Sequence, residues 1–315
     1  MAELRKDPCL DQWVILCPER RERPRFNAGD SAAEGRCPFC PGHEEDTAAP
    51  LDAVPSAGAW RARAVWNRYP ALRPTEPDAY GRHEVLIECR DHSAPYFARA
   101  EEDRVAFLQL VQRRLRALRR DPALRYAAFF SNRGASAGAT VAHPHAQILA
   151  TPFLPPWIER SWLPLQAPDV VAPCALCDEL QHALRAGATL VCETSHHVAL
   201  VPRAPSRSYE VWIVPRDHQA RWEDMGPAAL GSFAASLAAV DRAVHHLGVA
   251  GASNWALWNP PLHEPAPAWH WSWRCLPVTA ATGGFEVGFG GVLVTTPPEE
   301  AAQRLRAYAD HGATR

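Results

Sequence analysis

Two Cys-x-x-Cys pairs constrain this chain more than any other feature, because each is followed by an Asp-His pair and then by a histidine in an alternating run. The first ladder is Cys37-Pro38-Phe39-Cys40, then Asp91-His92, then His143; the second is Cys174-Ala175-Leu176-Cys177, then Asp217-His218, then His270. The steps nearly repeat. Cys40 to His92 spans 52 residues and His92 to His143 spans 51, against 41 for Cys177 to His218 and 52 for His218 to His270. Only the stretch after the second Cys pair differs. The run His83–His92 is restated by Tyr209–His218, and the apolar stripe Leu108, Val111, Leu115, Leu118 by Leu230, Phe233, Leu237, Val240, Val244, Leu247. The chain reads as an internal duplication.

Two thiolates and two imidazoles make the closed tetrahedral set of a structural zinc site. The ladders therefore predict two zinc ions, one held by Cys37, Cys40, His92 and His143, the other by Cys174, Cys177, His218 and His270. A thioredoxin-like redox role for Cys-x-x-Cys has no use for the distant histidines. Nine cysteines is an odd number, and the charged start of the chain leads into no long apolar run, so a reducing, cytoplasmic setting is expected. Cys9, Cys17, Cys89, Cys192 and Cys275 read as ordinary buried thiols. With 315 residues, 47% of them hydrophobic, the chain has material for one large core or two linked ones. A net charge of −2 argues against a general binder of nucleic-acid polymers or membrane surfaces, and no stretch is long and apolar enough for a transmembrane helix.

The chemistry concentrates in His143-Pro144-His145-Ala146-Gln147-Ile148. On a strand, alternate residues share a face about 6.6–6.8 Å apart, which groups His143, His145 and Gln147. The second half has His270, Ser272 and Arg274 there instead. The metal histidine is kept in both copies and its neighbour in one. An isolated His-x-His is most simply a packed pair, but a non-ligand histidine kept in one copy is a candidate nucleophile, since imidazole can attack phosphorus and later leave it. One active site per chain is expected, built on the first half. The small-residue turn Asn132–Thr140 lets backbone N–H groups approach an anion. The arginines of Cys17–Arg25 read either as a solvated loop or as a phosphate clamp.

At this point the sequence resembles the galactose-1-phosphate uridylyltransferase family of the histidine-triad superfamily, and within it the ADP-glucose phosphorylase-like branch. The resemblance is carried by Arg20 to Pro24, the Cys37 knuckle, Asn67 to Pro74, Arg90-Asp91-His92, Asn132 to Gln147, the Cys174 knuckle and His270 to Gly291. It implies transfer of a nucleoside monophosphate by two in-line displacements through a nucleotidyl-histidine, with His145 as nucleophile and Gln147 as the charge-stabilising amide. It also implies that Arg20, Arg23, Asn67, Asn132 and Thr140 contact the nucleotide and its phosphates. The second zinc set matches the phosphorylase branch; galactose-specific members carry an iron-type site there, with a histidine where this chain has Ser272. Those members hold the hexose with a lysine and a glutamate, and alignment through Phe285, Val287 and Gly288 puts Gly284 and Gly290 at those positions. The resemblance therefore does not extend to the galactose contacts, and galactose 1-phosphate is expected to be a poor acceptor beside inorganic phosphate or another phosphorylated compound. A homodimer with shared sites is implied too, and Trp255, Trp258, Trp269, Trp271 and Trp273 read as either its interface or buried core.

The expected fold is α+β, with two histidine-triad-like lobes, each an antiparallel sheet backed by helices. Residues 1–165 form the catalytic lobe and 166–315 a non-catalytic lobe with the second zinc site. Strands are expected at Gln12–Leu16, Arg61–Trp66, His83–Cys89 and Arg125–Ser131, and a helix with an arginine-rich solvated face at Glu101–Arg120. Thr151–Pro173 reads as an irregular proline-rich linker, and Gly283–Gly291 as a turn or sheet edge. The expected function is a nucleotidyltransferase moving a nucleoside monophosphate from a nucleotide sugar to a phosphate or sugar 1-phosphate. The alternatives are an ADP-glucose phosphorylase, a nucleotide-sugar hydrolase, or a catalytically silent zinc-stabilised nucleotide-binding protein.

Overall fold

Alternating apolar runs separated by turns give this chain twelve described strands, ten of them in one sheet. The computed structural model describes residues 2–22, 36–166, 174–248 and 251–309. Strands β1 (Glu3–Lys6) and β2 (Trp13–Leu16) form a separate hairpin. The first half then runs β3 (Asp52–Val54), β4 (Ala62–Trp66), β5 (Arg82–Ile87), helix α1 (Glu101–Leu118), β6 (Tyr126–Arg133), β7 (His145–Thr151) and α2 (Pro156–Trp162). The second half runs α3 (Ala175–Ala186), β8 (Leu190–Glu193), β9 (His197–Leu200), β10 (Val211–Pro215), α4 (Pro227–Leu247), β11 (Ser253–Trp258), β12 (Ser272–Pro277), α5 (Gly284–Phe289) and α6 (Pro298–Ala309).

The sheet order is β3-β4-β5-β7-β6-β11-β12-β10-β9-β8, and every named pair is antiparallel. Outward from the β6–β11 seam, β6-β7-β5-β4-β3 on one side is matched by β11-β12-β10-β9-β8 on the other. Mixed helix and antiparallel sheet is thus the architecture, with the strand order of one half repeated in the other across a single continuous sheet.

One face of the sheet carries the main core. Ala146, Ile148 and Ala150 of β7 and Trp271 and Trp273 in and beside β12 pack there with Phe107, Leu108 and Val111 of α1, Phe233 and Leu237 of α4, and Leu305 of α6. Full burial of each large apolar side chain contributes roughly 1.5–3 kcal/mol. Because successive side chains on a strand point to opposite faces, the residues between these, His145 and Gln147, are turned to the other face. There the Cys37 knuckle lies against β4 and β5: Phe39 packs beside Trp60, Val65, Val85 and Ile87, and Arg63 donates to the Pro38 carbonyl at 3.2 Å. Helix α3 covers the corresponding part of the second half through Leu180 and Ala183 on Val198, Leu200 and Val214.

Several expectations are corrected. Strand β7 begins at His145, so His143 belongs to the turn before it, and β12 likewise begins two residues after His270. The proline-rich segment contains α2, started by Pro155-Pro156 at its N-terminus, where a missing N–H costs nothing. The glycine run forms the short helix α5, closed by Gly290 in the left-handed region at φ 67°. Trp255, Trp269, Trp271 and Trp273 are buried core, which removes them as interface candidates. Arg114 leaves the solvated face of α1 and pairs with the buried Glu84. Cys9 is exposed, while Cys89 and Cys275 are buried and Cys17 and Cys192 half-buried.

Candidate active site

The knuckle Cys37–Cys40, the bend after β5 and the turn before β7 meet at one point. Sγ of Cys37 and Cys40 lie 3.8 and 3.5 Å from His143 Nδ1, and Cys40 Sγ lies 3.4 Å from His92 Nδ1. The four ligand atoms fall within 4.8 Å of one another, as do those of Cys174, Cys177, His218 and His270. In the second cluster Cys177 Sγ is 3.3 Å from Nδ1 of both His218 and His270. The imidazoles are preset for this. His143 Nε2 donates to the Cys89 carbonyl at 2.9 Å and His218 Nε2 to the Pro267 carbonyl at 2.9 Å, so each keeps its lone pair on the Nδ1 that faces the thiols. Burial holds His143 and His270 down at about 4, in the neutral form a ligand needs. Burial, then the neighbouring Cys37 or Cys174 thiol, pushes Cys40 and Cys177 up to about 11. Paired thiols of this kind ionise together only beside a cation. Both clusters could hold a metal ion.

His145 opens β7 outside both clusters and is 8% exposed. Its Nδ1–H donates to the His143 carbonyl at 2.9 Å. In the neutral ring this leaves Nε2 unprotonated, the form in which imidazole attacks. The knuckle's Phe39 packs on the ring with centroids 5.3 Å apart, so the metal-cluster loop also fixes the histidine. A cleft of about 380 Å³ lies beside it, lined among others by Arg99, Asn132, Arg133, Thr140 and His145. Glu88, also in the cleft lining, is buried. Burial alone would raise its carboxyl, but Arg99 at 2.8 Å, with Arg133 at 3.8 Å, holds it below the usual carboxylate range. Ser131 Oγ donates to the backbone carbonyl of His145 at 3.1 Å.

The other expected residues are distributed as follows. Gln147 is two positions along β7 on the same face, with Oε1 3.0 Å from His83 Nε2 and 3.4 Å from Asn67 Nδ2. Asn67, Gln147 and Arg20 lie outside the cleft lining; Arg20 donates to the Tyr69 carbonyl, two residues from Asn67. Asn132 and Thr140 line the cleft, and Asn132 Oδ1 also accepts from Asn254 Nδ2 of β11 at 3.0 Å. Arg23 lies outside the described residues. The turn between β6 and β7 depends on two glycines: Gly138 has φ 87°, and a Cβ on Gly134 (φ 82°) would lie 2.7 Å from the Gly251 carbonyl. Four contributors were not singled out by sequence pattern: His83, Phe39, Glu88 and Asn254. A charged residue inside the apolar run Val85–Cys89 is the one signal that pointed toward Glu88.

Among the described residues, the second half has no counterpart to this arrangement. In place of His145 and Gln147 stand Ser272 and Arg274, whose guanidinium carbon lies 3.4 Å from the Trp258 ring centroid and 4.1 Å from that of Trp212. Arg274 Nε donates to Ser272 Oγ at 3.1 Å, and burial lowers its pKa to about 10. A cation between two indoles occupies the position of the first half's amide.

Residues 1–155 match the family model described as galactose-1-phosphate uridyl transferase, N-terminal domain. The ADP-glucose phosphorylase of Arabidopsis thaliana is 28% identical across 96% of this chain and 92% of its own. The galactose-1-phosphate uridylyltransferase of Thermotoga maritima is 29% identical across 69% of this chain and 68% of its own. The crystal structure of the Arabidopsis thaliana phosphorylase with bound ADP-glucose superposes with a TM-score of 0.77, 28% identity, and 97% and 99% of the two chains covered.

Proposed function

We propose that this chain belongs to the galactose-1-phosphate uridylyltransferase family, to which it is similar in sequence and fold, that His145 is its nucleophile and that it transfers a nucleoside monophosphate from a nucleotide sugar to a phosphate or sugar 1-phosphate. The observation that carries the residue assignment is the His145 ring: buried, outside both metal clusters, with its proton held on Nδ1 by a carbonyl. Nε2 attacks the α-phosphorus and the bond to the bridging oxygen breaks, releasing sugar 1-phosphate. An acceptor phosphate oxygen then attacks the same phosphorus, and the histidine leaves. Gln147, Thr140, Arg23 and turn N–H groups stabilise the charge on the phosphoryl oxygens, while Arg20, Asn67 and Asn132 hold the nucleotide.

Residues 1–165 form the catalytic lobe, and 166–315 a supporting lobe in which Arg274 fills the equivalent position. The metal of both clusters is zinc. Tetrahedral Zn–S and Zn–N bonds of about 2.3 and 2.0–2.1 Å imply sulfur-to-nitrogen separations of about 3.5–3.6 Å, and the thiol-to-imidazole distances of 3.3–3.8 Å bracket that value. Its role is to pin each knuckle to the sheet. The chain works as a homodimer in the cytoplasm; the exposed Phe285, Val287, Phe289, Val292 and Leu293 in and after α5 supply an apolar surface for a second copy.

A second reading, ADP-glucose phosphorylase, is favoured by one feature of this chain. Gly284 and Gly290 stand where galactose-specific members resemble one another in a lysine and a glutamate, so inorganic phosphate is the better acceptor. Supplying UDP-glucose or ADP-glucose with either phosphate or galactose 1-phosphate tests both readings. Turnover with phosphate at a much higher rate than with galactose 1-phosphate is expected; a clear preference for galactose 1-phosphate contradicts the phosphorylase reading, and no turnover of any pair contradicts both.

A further inference from the structure

We propose that His83 is a positioning residue: as a fixed neutral tautomer, it turns the Gln147 amide so that its N–H donors face the phosphoryl group. The proposal rests on the roles given above to His145 and Gln147.

His83 is buried on β5, diagonally across from Gln147 on β7, whose direct partner is Val85. Its two ring nitrogens have different jobs. The Ala71 backbone N–H donates to Nδ1 at 3.0 Å, so Nδ1 carries the lone pair. In a neutral ring the proton then sits on Nε2, which lies 3.0 Å from Gln147 Oε1. Asn67 Nδ2 approaches the same oxygen at 3.4 Å and lies 3.2 Å from His83 Nε2 itself, so the two donors sit side by side in front of Oε1. Asn67 is itself clamped, since its Oδ1 accepts from the Tyr69 N–H at 2.8 Å and its backbone N–H donates to the His83 carbonyl at 2.9 Å.

Two donors on one oxygen decide which end of an amide is which. Rotating the Gln147 amide by half a turn would set its NH₂ against the His83 N–H and the Asn67 NH₂, leaving all three donors facing one another. The oxygen would then face the phosphate oxygens and repel them. Gln147 Nε2 has no protein partner among the described residues and is the end left for substrate. A donor held in place before reaction pays no reorganisation when charge develops, and that is what the Ala71–His83–Gln147 relay supplies.

The test measures kcat and KM for the nucleotide sugar in His83→Phe, His83→Gln, Gln147→Ala and the double variant His83→Phe/Gln147→Ala, with metal content and thermal midpoint determined for each. His83→Phe is expected to lower kcat by about tenfold to a hundredfold, no more than removal of a donor outright, with a much smaller change in KM. His83→Gln, which restores an N–H near the Nε2 position, recovers most of the loss. In the Gln147→Ala background, His83→Phe costs nothing further. Equal losses in both backgrounds, or a wild-type kcat in folded His83→Phe, would overturn the proposal while leaving the function intact. A Gln147→Ala enzyme with undiminished kcat would overturn the role of Gln147 and this proposal with it. Should His83→Phe not fold, ¹⁵N spectra of the histidine-labelled full chain decide: a proton on Nε2 and none on Nδ1 of His83 is expected, and a protonated Nδ1 would overturn the assignment.

Discussion

At the scale of single residues, what a side chain does here depends on which of its atoms is already taken. His143 and His145 are two positions apart, yet the Cys89 carbonyl takes the Nε2 proton of one and the His143 carbonyl the Nδ1 proton of the other, so the two rings carry their protons on opposite nitrogens. Residue type and spacing made both histidines and all eight metal-cluster residues legible in the sequence. His83 and Phe39 were not, because their roles come from register between strands and from where a knuckle lands on a sheet, which spacing does not carry. Arg114 was misread for a related reason: a helical stripe shows which face is apolar, not which cation finds a buried acid. Glu84 is fully buried and held by Arg114 at 2.7 and 2.8 Å. Removing one partner of such a pair leaves an uncompensated buried charge, so Glu84→Gln should destabilise the fold by about 3–5 kcal/mol. Denaturant unfolding measures it, and an unchanged midpoint at constant slope would contradict the pairing's importance.

At the scale of elements, α1, α4 and the strands β4 to β7, β10 and β12 followed from periodicity or from the repeat, while β11, the short edge strands and α2, α3, α5 and α6 did not. Strands such as Asp52–Val54 are too short to show an alternation, and α2 starts on Pro155-Pro156, prolines that read as a linker until their place at the N-cap and first turn of a helix is recognised. The β6–β7 turn is the element on which the cleft depends. Gly134→Ala puts a Cβ against the Gly251 carbonyl in a positive-φ position and should destabilise by about 1–3 kcal/mol; unfolding midpoints check this, and no loss would show that the seam yields. The knuckle is tied to the sheet through its cluster. Cys37→Ser should release metal from the first cluster, leave the second loaded and lower the thermal midpoint. Metal analysis showing both clusters still filled would contradict the ligand set.

At the scale of the whole molecule, one continuous sheet carries two similar Cys/His clusters and, in one half only, a buried strand histidine beside a cluster. The doubled ladder was visible in the sequence; that the two halves join edge to edge between β6 and β11 was not, because nothing local marks which strand edges meet. Among the described residues no helix is long and apolar enough to cross a membrane. The exposed apolar segment around α5 leads to a prediction for assembly: Phe289→Asp should shift the protein from dimer to monomer in sedimentation, and a dimer unaffected by that change would place the interface elsewhere. Stoichiometry bears most directly on the central claim. Incubating the protein with a nucleotide sugar radiolabelled at the α-phosphate, without acceptor, should give one adduct per chain, stable to alkali and lost in mild acid as a phosphoramidate is. Peptide mapping should place it on His145, and His145→Gly should form none while keeping both clusters metal-loaded. An adduct on another residue, or one that persists in His145→Gly, would contradict the account.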